Sequence, residues 1–260
     1  MSTQPRSSSH FLITGAGTGI GRAIALRLAR DNHRLTLLGR NEGSLQDTAV
    51  QIRAAGGAEP YLATADIRNR GEVDRAINES AAAHGLFTGV IANSGIGGPN
   101  EPGPDDRFDD LVQTNLVGTY STLRAVQRNL SPGPGTRHMV VIASILARFG
   151  VPGYTGYCAS KAALLGLTRA LALELASENV QVNAICPGWV NTEMARQGIA
   201  GMADGMGISY DAALAEAMKA VPLGRMSEPH HIAGLVAYLV GPDGVGITGQ
   251  GLDMNNGAWM

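Results

Sequence analysis

Six times along the chain a short, almost wholly apolar run gives way to a longer or looser stretch. No other feature limits the possible folds as much. The runs are HFLIT, RLTLLG, PYLATAD, FTGVIAN, MVVIAS and VQVNAIC, and helical spacing follows the first five at 20–31, 42–55, 70–84, 106–130 and 155–177. Runs that do not alternate with polar residues need apolar cover on both faces, which is the setting of a parallel sheet between two helical layers. A last short run, GQGLDM, brings the expected sheet to about seven strands. The prediction is an α/β fold with one doubly wound parallel sheet and helices on both faces.

A sheet of this size buries a substantial core within 260 residues, so one domain over 10–260 is expected. The pattern loosens between 187 and 226, where Gly and Met surround one expected helix at 210–220. This segment reads as an insertion over a site, with a substrate lid around 193–222. Ser227, followed by Pro229, reads as the N-cap of a helix over 228–240, and SPGPG at 131–135 as a turn.

With 20 basic and 22 acidic residues the formal charge is −2, which provides no electrostatic footprint for nucleic acid or an anionic membrane. A small-molecule partner is expected instead. No apolar stretch reaches the ~18 residues of a membrane span. The polar start, MSTQPRSSSH, has no apolar signal region and reads as a disordered tail over 1–9. Cys158 and Cys186 are too few for a disulfide framework and lie in segments that read as interior, so buried, reduced thiols and a cytoplasmic setting are expected. No metal site is expected.

In LITGAGTGIGRAIALRLA the first run passes into a helix through Gly15, Gly19 and Gly21. Glycines there permit a tight turn and let a pyrophosphate approach a helix N-terminus, where free N–H groups and the helix dipole favour an anion. Their spacing differs from the commoner G-x-G-x-x-G, and such glycines also serve as plain turn residues. The second run ends LLGRN, with Gly39 and Arg40 where many NAD-binding folds place an acidic residue. A guanidinium there suits a 2′-phosphate, so NADP is favoured with NAD as the alternative, while a strand-end arginine is also commonly just solvated.

GYTGYCASKAAL places Tyr157 and Lys161 one turn apart on a helix. An ammonium beside a phenol favours the phenolate, lowering a pKa of about 10 and fitting Tyr157 for proton transfer. A packed tyrosine and a surface lysine fit the same four-residue spacing.

From His10 to the C-terminus the chain resembles the single-domain branch of the short-chain dehydrogenase/reductase family. TGAGTGIG, Asp66-Ile67, Asn93-Ser94-Gly95, Asn115, Ser144, YCASK at 157–161 and PGWVNT at 187–192 occur in family order. The resemblance implies a Rossmann-type sheet and a catalytic set of Asn115, Ser144, Tyr157 and Lys161. Tyr157 would exchange a proton with the substrate oxygen and Ser144 would hydrogen-bond it. Lys161 would lower the tyrosine pKa and hold the nicotinamide ribose, and Asn115 would hold a relay water. For the cofactor it implies Gly15, Thr18, Gly19, Ile20 and Gly21 at the glycine loop and Arg40 at the ribose. Asp66 and Ile67 would border the adenine, and Asn93 and Gly95 the adenosine side. Pro187 and Gly188 would precede Val190 and Thr192 at the carboxamide. Two departures are Ser94, which adds a hydroxyl near the cofactor, and Asn255-Asn256, where relatives carry Asp-Gly or Gly-Gly.

The resemblance is strongest to 3-oxoacyl thioester and polyketide ketoreductases, so an NAD(P)(H)-dependent exchange of ketone and secondary alcohol is expected. One alternative is an NAD-dependent dehydrogenase of a cyclic, sugar or polyol alcohol. Another is a nucleotide-sensing protein without turnover, which would have no need of the proton donor. Substrate choice is expected to lie in 145–155 and 193–222, where Arg148 reads either as a contact for an acidic substrate or carrier or as a solvated side chain. Leu164, Leu165, Leu167, Leu171, Leu173 and Leu175 exceed what one sheet face should cover, and with the resemblance they lead to an expected homotetramer.

Overall fold

The computed structural model describes residues 9–260, so the expected tail lies outside the described residues apart from Ser9. The strands are β1 (His10–Thr14), β2 (Arg34–Gly39), β3 (Tyr61–Thr64), β4 (Gly89–Ala92), β5 (Arg137–Ile142), β6 (Val180–Pro187) and β7 (Gly251–Met254). They form one parallel sheet in the order β3-β2-β1-β4-β5-β6-β7. The order reverses between β1 and β4. At such a switch point the connections leave to opposite faces and open a crevice beyond the strand ends.

Side chains of period two divide the interior. Leu12, Val90, Met139, Val141 and Ala184 face a core shared with α3 (Arg70–His84), α5 (Thr119–Gln127) and α6 (Thr155–Glu174). Phe11, Ile13, Ile91, Val140 and Ile185 face the other core, with α1 (Gly19–Arg30), α2 (Glu42–Ala54) and α9 (Pro229–Val240). Both faces are therefore covered, as the unbroken apolar runs require.

The helix expected over 106–130 is interrupted. It starts as α4 (Phe108–Val112), passes through a π-helical stretch at Gln113–Gly118 and continues as α5. The helix expected over 155–177 ends at Glu174, before a 3₁₀ turn at Ala176–Glu178. The segment 193–222 holds two helices, not one: α7 (Glu193–Met206) and α8 (Tyr210–Lys219) share a small core of Ile199, Ala203, Ala213 and Ala217. Gly207, at φ +66°, ends α7 in the left-handed region. Ser227 is not the cap of α9. It is buried, and Glu228 caps the helix in a reciprocal box with His231.

Cys186 is buried, whereas Cys158 is half-exposed. Of the six leucines, five on α6 and Leu175 just after it, Leu164, Leu165, Leu171 and Leu175 are buried in the core and Leu167 packs against it, leaving Leu173 open at 83%. The leucine run is thus mostly covered by the chain itself. Among the described residues no helix is long and apolar enough to cross a membrane, and no cluster of three metal-ligating side chains occurs.

Candidate active site

The strand ends at the switch point are tied together by one hydroxyl. Thr14 Oγ1 accepts from the backbone N–H groups of Asn93 (3.0 Å) and Ser94 (2.9 Å), while Asn93 Nδ2 donates to the Thr14 carbonyl at 3.0 Å. The glycine loop begins there. Gly15 and Gly19 have φ of +64° and +50°, and a Cβ on Gly21 would lie 2.1 Å from the Gly15 carbonyl oxygen. Glycine at 21 therefore lets α1 start directly against the loop. Thr18 caps α1 without a side-chain hydrogen bond, leaving its first-turn N–H groups and dipole to an outside anion. Ile20 packs partly buried against the core. This cradle fits a dinucleotide pyrophosphate.

Two residues that the sequence reading did not select hold the loop from behind. Arg22 donates to the Gly17 carbonyl and to Thr48 Oγ1 (3.1 Å), and Thr48 donates to the Ala16 carbonyl (3.0 Å). On the far side Thr192 Cγ2 would lie 3.3 Å from a Cβ on Gly19. The exit of β6 therefore closes over the cradle. Val190 is buried there, and Thr192 accepts from Ala195 N at 3.3 Å to cap α7. Pro187 ends β6, and a Cβ on Gly188 would press on Asn255 at 3.0 Å. Asn255 bonds the Trp259 carbonyl and Asn256 the Arg225 carbonyl, so these two departures pin the C-terminus beside the β6 exit.

At the adenosine end, Arg40 is exposed at the end of β2 and forms no ion pair among the described residues. Its charge acts on Asp66, but the main partner of Asp66 is Arg68 at 2.7 Å, whose hydrogen bonds hold the carboxyl below its usual value. Ile67 is buried, and its side chain would crowd a Cβ on Gly118 at 2.9 Å.

Tyr157 and Lys161 lie in the first two turns of α6. Lys161 Nζ donates to the Ile142 carbonyl at 3.0 Å and sits 5.7 Å from the centre of the Tyr157 ring. Burial lowers the lysine pKa to about 8. Burial also raises the phenol above its usual value, and a hydrogen bond from Ser144 only partly offsets this. The expected lowering of the tyrosine by Lys161 is therefore not expressed here: burial sets the direction, and the lysine's hydrogen bond goes to the Ile142 carbonyl. Ser144 follows β5, and its Oγ accepts from Leu146 N at 3.1 Å.

The π-helical stretch carries Asn115 into the interior. Its Oδ1 accepts from Ile96 N (2.9 Å), and its Nδ2 donates to the Ile96 carbonyl (3.0 Å) and Ser160 Oγ (3.1 Å). A Cβ on Gly95 would lie 3.0 Å from Asn115 Oδ1 and 3.4 Å from Lys161 Nζ, so these three residues meet. π-Helical bulges recur at functional sites because the extra residue re-aims a side chain. Gly97 was also missed. A Cβ there would lie 3.0 Å from Met194 Sδ and 3.8 Å from Tyr157 Cε2, so the opening of α7 stands beside the tyrosine. Arg148 pairs with Asp253 (2.9 Å) and the Gly251 carbonyl (2.7 Å), which assigns it to holding β7 and not to an acidic substrate.

A family model described as enoyl-(acyl carrier protein) reductase matches residues 15–258. The chain is 35% identical to a Streptomyces coelicolor protein bearing the name of a ketoacyl reductase, covering 99% of this chain and 98% of that one. It is 30% identical to the 3-oxoacyl-(acyl-carrier-protein) reductase FabG of Aggregatibacter actinomycetemcomitans, with 96% and 99% covered. A variant of actinorhodin polyketide ketoreductase, solved with NADPH, superposes with a TM-score of 0.90 at 34% identity, with 99% of each chain covered.

Proposed function

Because the chain belongs to the short-chain dehydrogenase/reductase family, as an NAD(P)-dependent oxidoreductase of C=O and CH–OH groups, we propose that it reduces the ketone of a 3-oxoacyl or polyketide-like substrate. The observation that carries this reading is the meeting of Asn115, Gly95 and Lys161 beside the Tyr157 ring, at the strand ends that carry the dinucleotide cradle. The names of the relatives point the same way.

When bound, the nicotinamide supplies the hydride for the carbonyl carbon. Ser144 holds the carbonyl oxygen, and Tyr157 delivers the proton to it. Lys161, with a pKa of about 8, is mostly charged at neutral pH and is placed to hold the ribose and restore the phenol proton, with Asn115 behind it. Gly15, Thr18, Gly19, Ile20 and Gly21 hold the pyrophosphate. Asn93 and Gly95, with Asp66 and Ile67, line the adenosine side, and Pro187, Gly188, Val190 and Thr192 the nicotinamide side. Arg40, with no ion pair of its own, selects NADP over NAD. The segment 193–222, part of a single catalytic domain over 10–260, closes over the substrate as a lid, and the active assembly is a homotetramer.

Initial rates of reduced-cofactor consumption test the substrate class. The panel is a 3-oxoacyl thioester, a plain ketone and an enoyl thioester, with cyclic and sugar alcohols run in the oxidative direction. The thioester ketone is expected to exceed the others in kcat/KM by about tenfold or more. A preference for the enoyl thioester or for an alcohol with NAD would overturn the reading.

A further inference from the structure

We infer that Asn100 is a positioning residue for Tyr157, acting as the N-cap that α6 does not supply for itself; this rests on the reading of Tyr157 as proton donor. Tyr157 is the third residue of α6, and the helix's own cap residue, Tyr154, makes no side-chain cap hydrogen bond. Fraying of that turn would displace the phenol. Asn100 Oδ1, contributed from 56 residues upstream, accepts from Gly156 N at 2.8 Å. This is the bond that a local Asn or Ser cap would make to the second helical N–H.

The amide is held from both ends. Asn100 Nδ2 donates to Thr155 Oγ1 and to Asp106 Oδ1, each at 3.0 Å, and Asn100 N donates to the Gly153 carbonyl at 2.8 Å. A carboxylate cannot donate, so the orientation of the amide is determined by its partners. Asp106 Oδ1 in turn accepts from Phe108 N at 2.9 Å, at the start of α4. One side chain, 6% exposed, therefore fastens the openings of α4 and α6. The two helices meet closely there: a Cβ on Gly156 would lie 3.1 Å from Phe108 Cα. The same loop reaches the other side of the tyrosine, since Arg107 donates to the carbonyl of Gly97 at 3.1 Å.

The test compares Asn100→Ala, Asn100→Asp, Asp106→Asn and the exchange Asn100→Asp with Asp106→Asn, with Tyr157→Phe run alongside. The readouts are kcat, KM, the pH profile of kcat, NADPH affinity and the melting temperature. Asn100→Ala is expected to lower kcat about ten- to a hundredfold, the cost of misplacing a reacting group by an ångström or less, with NADPH affinity unchanged. Asn100→Asp sets two carboxylates against each other and should do the same. The exchange restores a donor facing an acceptor, so most of kcat should return. If Asn100→Ala does not fold, Asn100→Asp and the exchange still decide. A role in packing alone would lower the melting temperature and leave kcat and its pH profile at wild type, which would overturn the inference, as would an exchange that recovers stability without turnover. Full turnover in Tyr157→Phe would defeat the proton-donor reading and this inference together. Loss of turnover in Tyr157→Phe with wild-type kcat in both Asn100 variants would defeat the inference alone.

Discussion

At the scale of single residues, burial and not charge governs the reactive pair. Desolvation raises the Tyr157 phenol and lowers Lys161 to about 8, so the two groups shift apart while both remain protonated at neutral pH. The one-turn spacing in the sequence implied the neighbourhood but not the direction in which the ammonium points. That direction comes from the Ile142 carbonyl, which lies on a strand outside the motif. Arg40 is the residue proposed to set cofactor choice. A 2′-phosphate facing an unpaired guanidinium at an exposed strand end should gain about tenfold in affinity. The double change Gly39→Asp with Arg40→Ala replaces that attraction with repulsion, so kcat/KM measured with both cofactors should move toward NADH. A wild type that prefers NADH, or a variant whose ratio does not move, would reduce Arg40 to a solvated side chain.

At the scale of elements, β1 and β5 each place a buried histidine near their start, His10 and His138, and burial lowers both pKa values to about 4. For His10 burial outweighs a hydrogen bond to the Gly85 carbonyl at 2.8 Å, which acts in the opposite direction. Between pH 6.5 and about 4 the unfolded chain binds protons that the folded chain refuses, so stability falls as pH falls through that window. By pH 5 each histidine should have removed roughly 2 kcal/mol. Urea unfolding at pH 7 and pH 5 checks this: His138→Gln should lessen the loss by about that amount, and an unchanged loss would contradict it. Most elements were legible in the sequence, because a strand covered on both faces leaves a continuous apolar run. The π-helical stretch was not. Its end at Gly118 passes close against Ile67, a tertiary contact that leaves the apolar periodicity unchanged. Nor was α7, whose glycines weaken the helical pattern and whose small core forms only against α8.

For the whole molecule, the sheet reverses its order between β1 and β4, and the proposed cofactor contacts lie at that end of the strands, in the loops that follow or in the first turns of α1 and α6. The motif order from TGAGTGIG to PGWVNT carried that placement into the sequence, since a parallel sheet aligns the exits of all its strands on one edge. What did not show was the support behind the site. Thr48, Asn100 and Arg148 act on backbone atoms far away in the chain, with Arg22 behind Thr48, and neither spacing nor residue type marks such contacts. The leucine count on and just after α6 overstated the exposed surface for a similar reason, because four of those leucines are buried in the core. We propose that this fold delivers a proton from Tyr157 to a ketone beside the dinucleotide cradle. The most direct test is the turnover of Tyr157→Phe with NADPH and a 3-oxoacyl thioester, measured together with NADPH binding. The account predicts a fall in kcat of at least about a hundredfold with cofactor affinity unchanged. Turnover near wild type in that variant would contradict it.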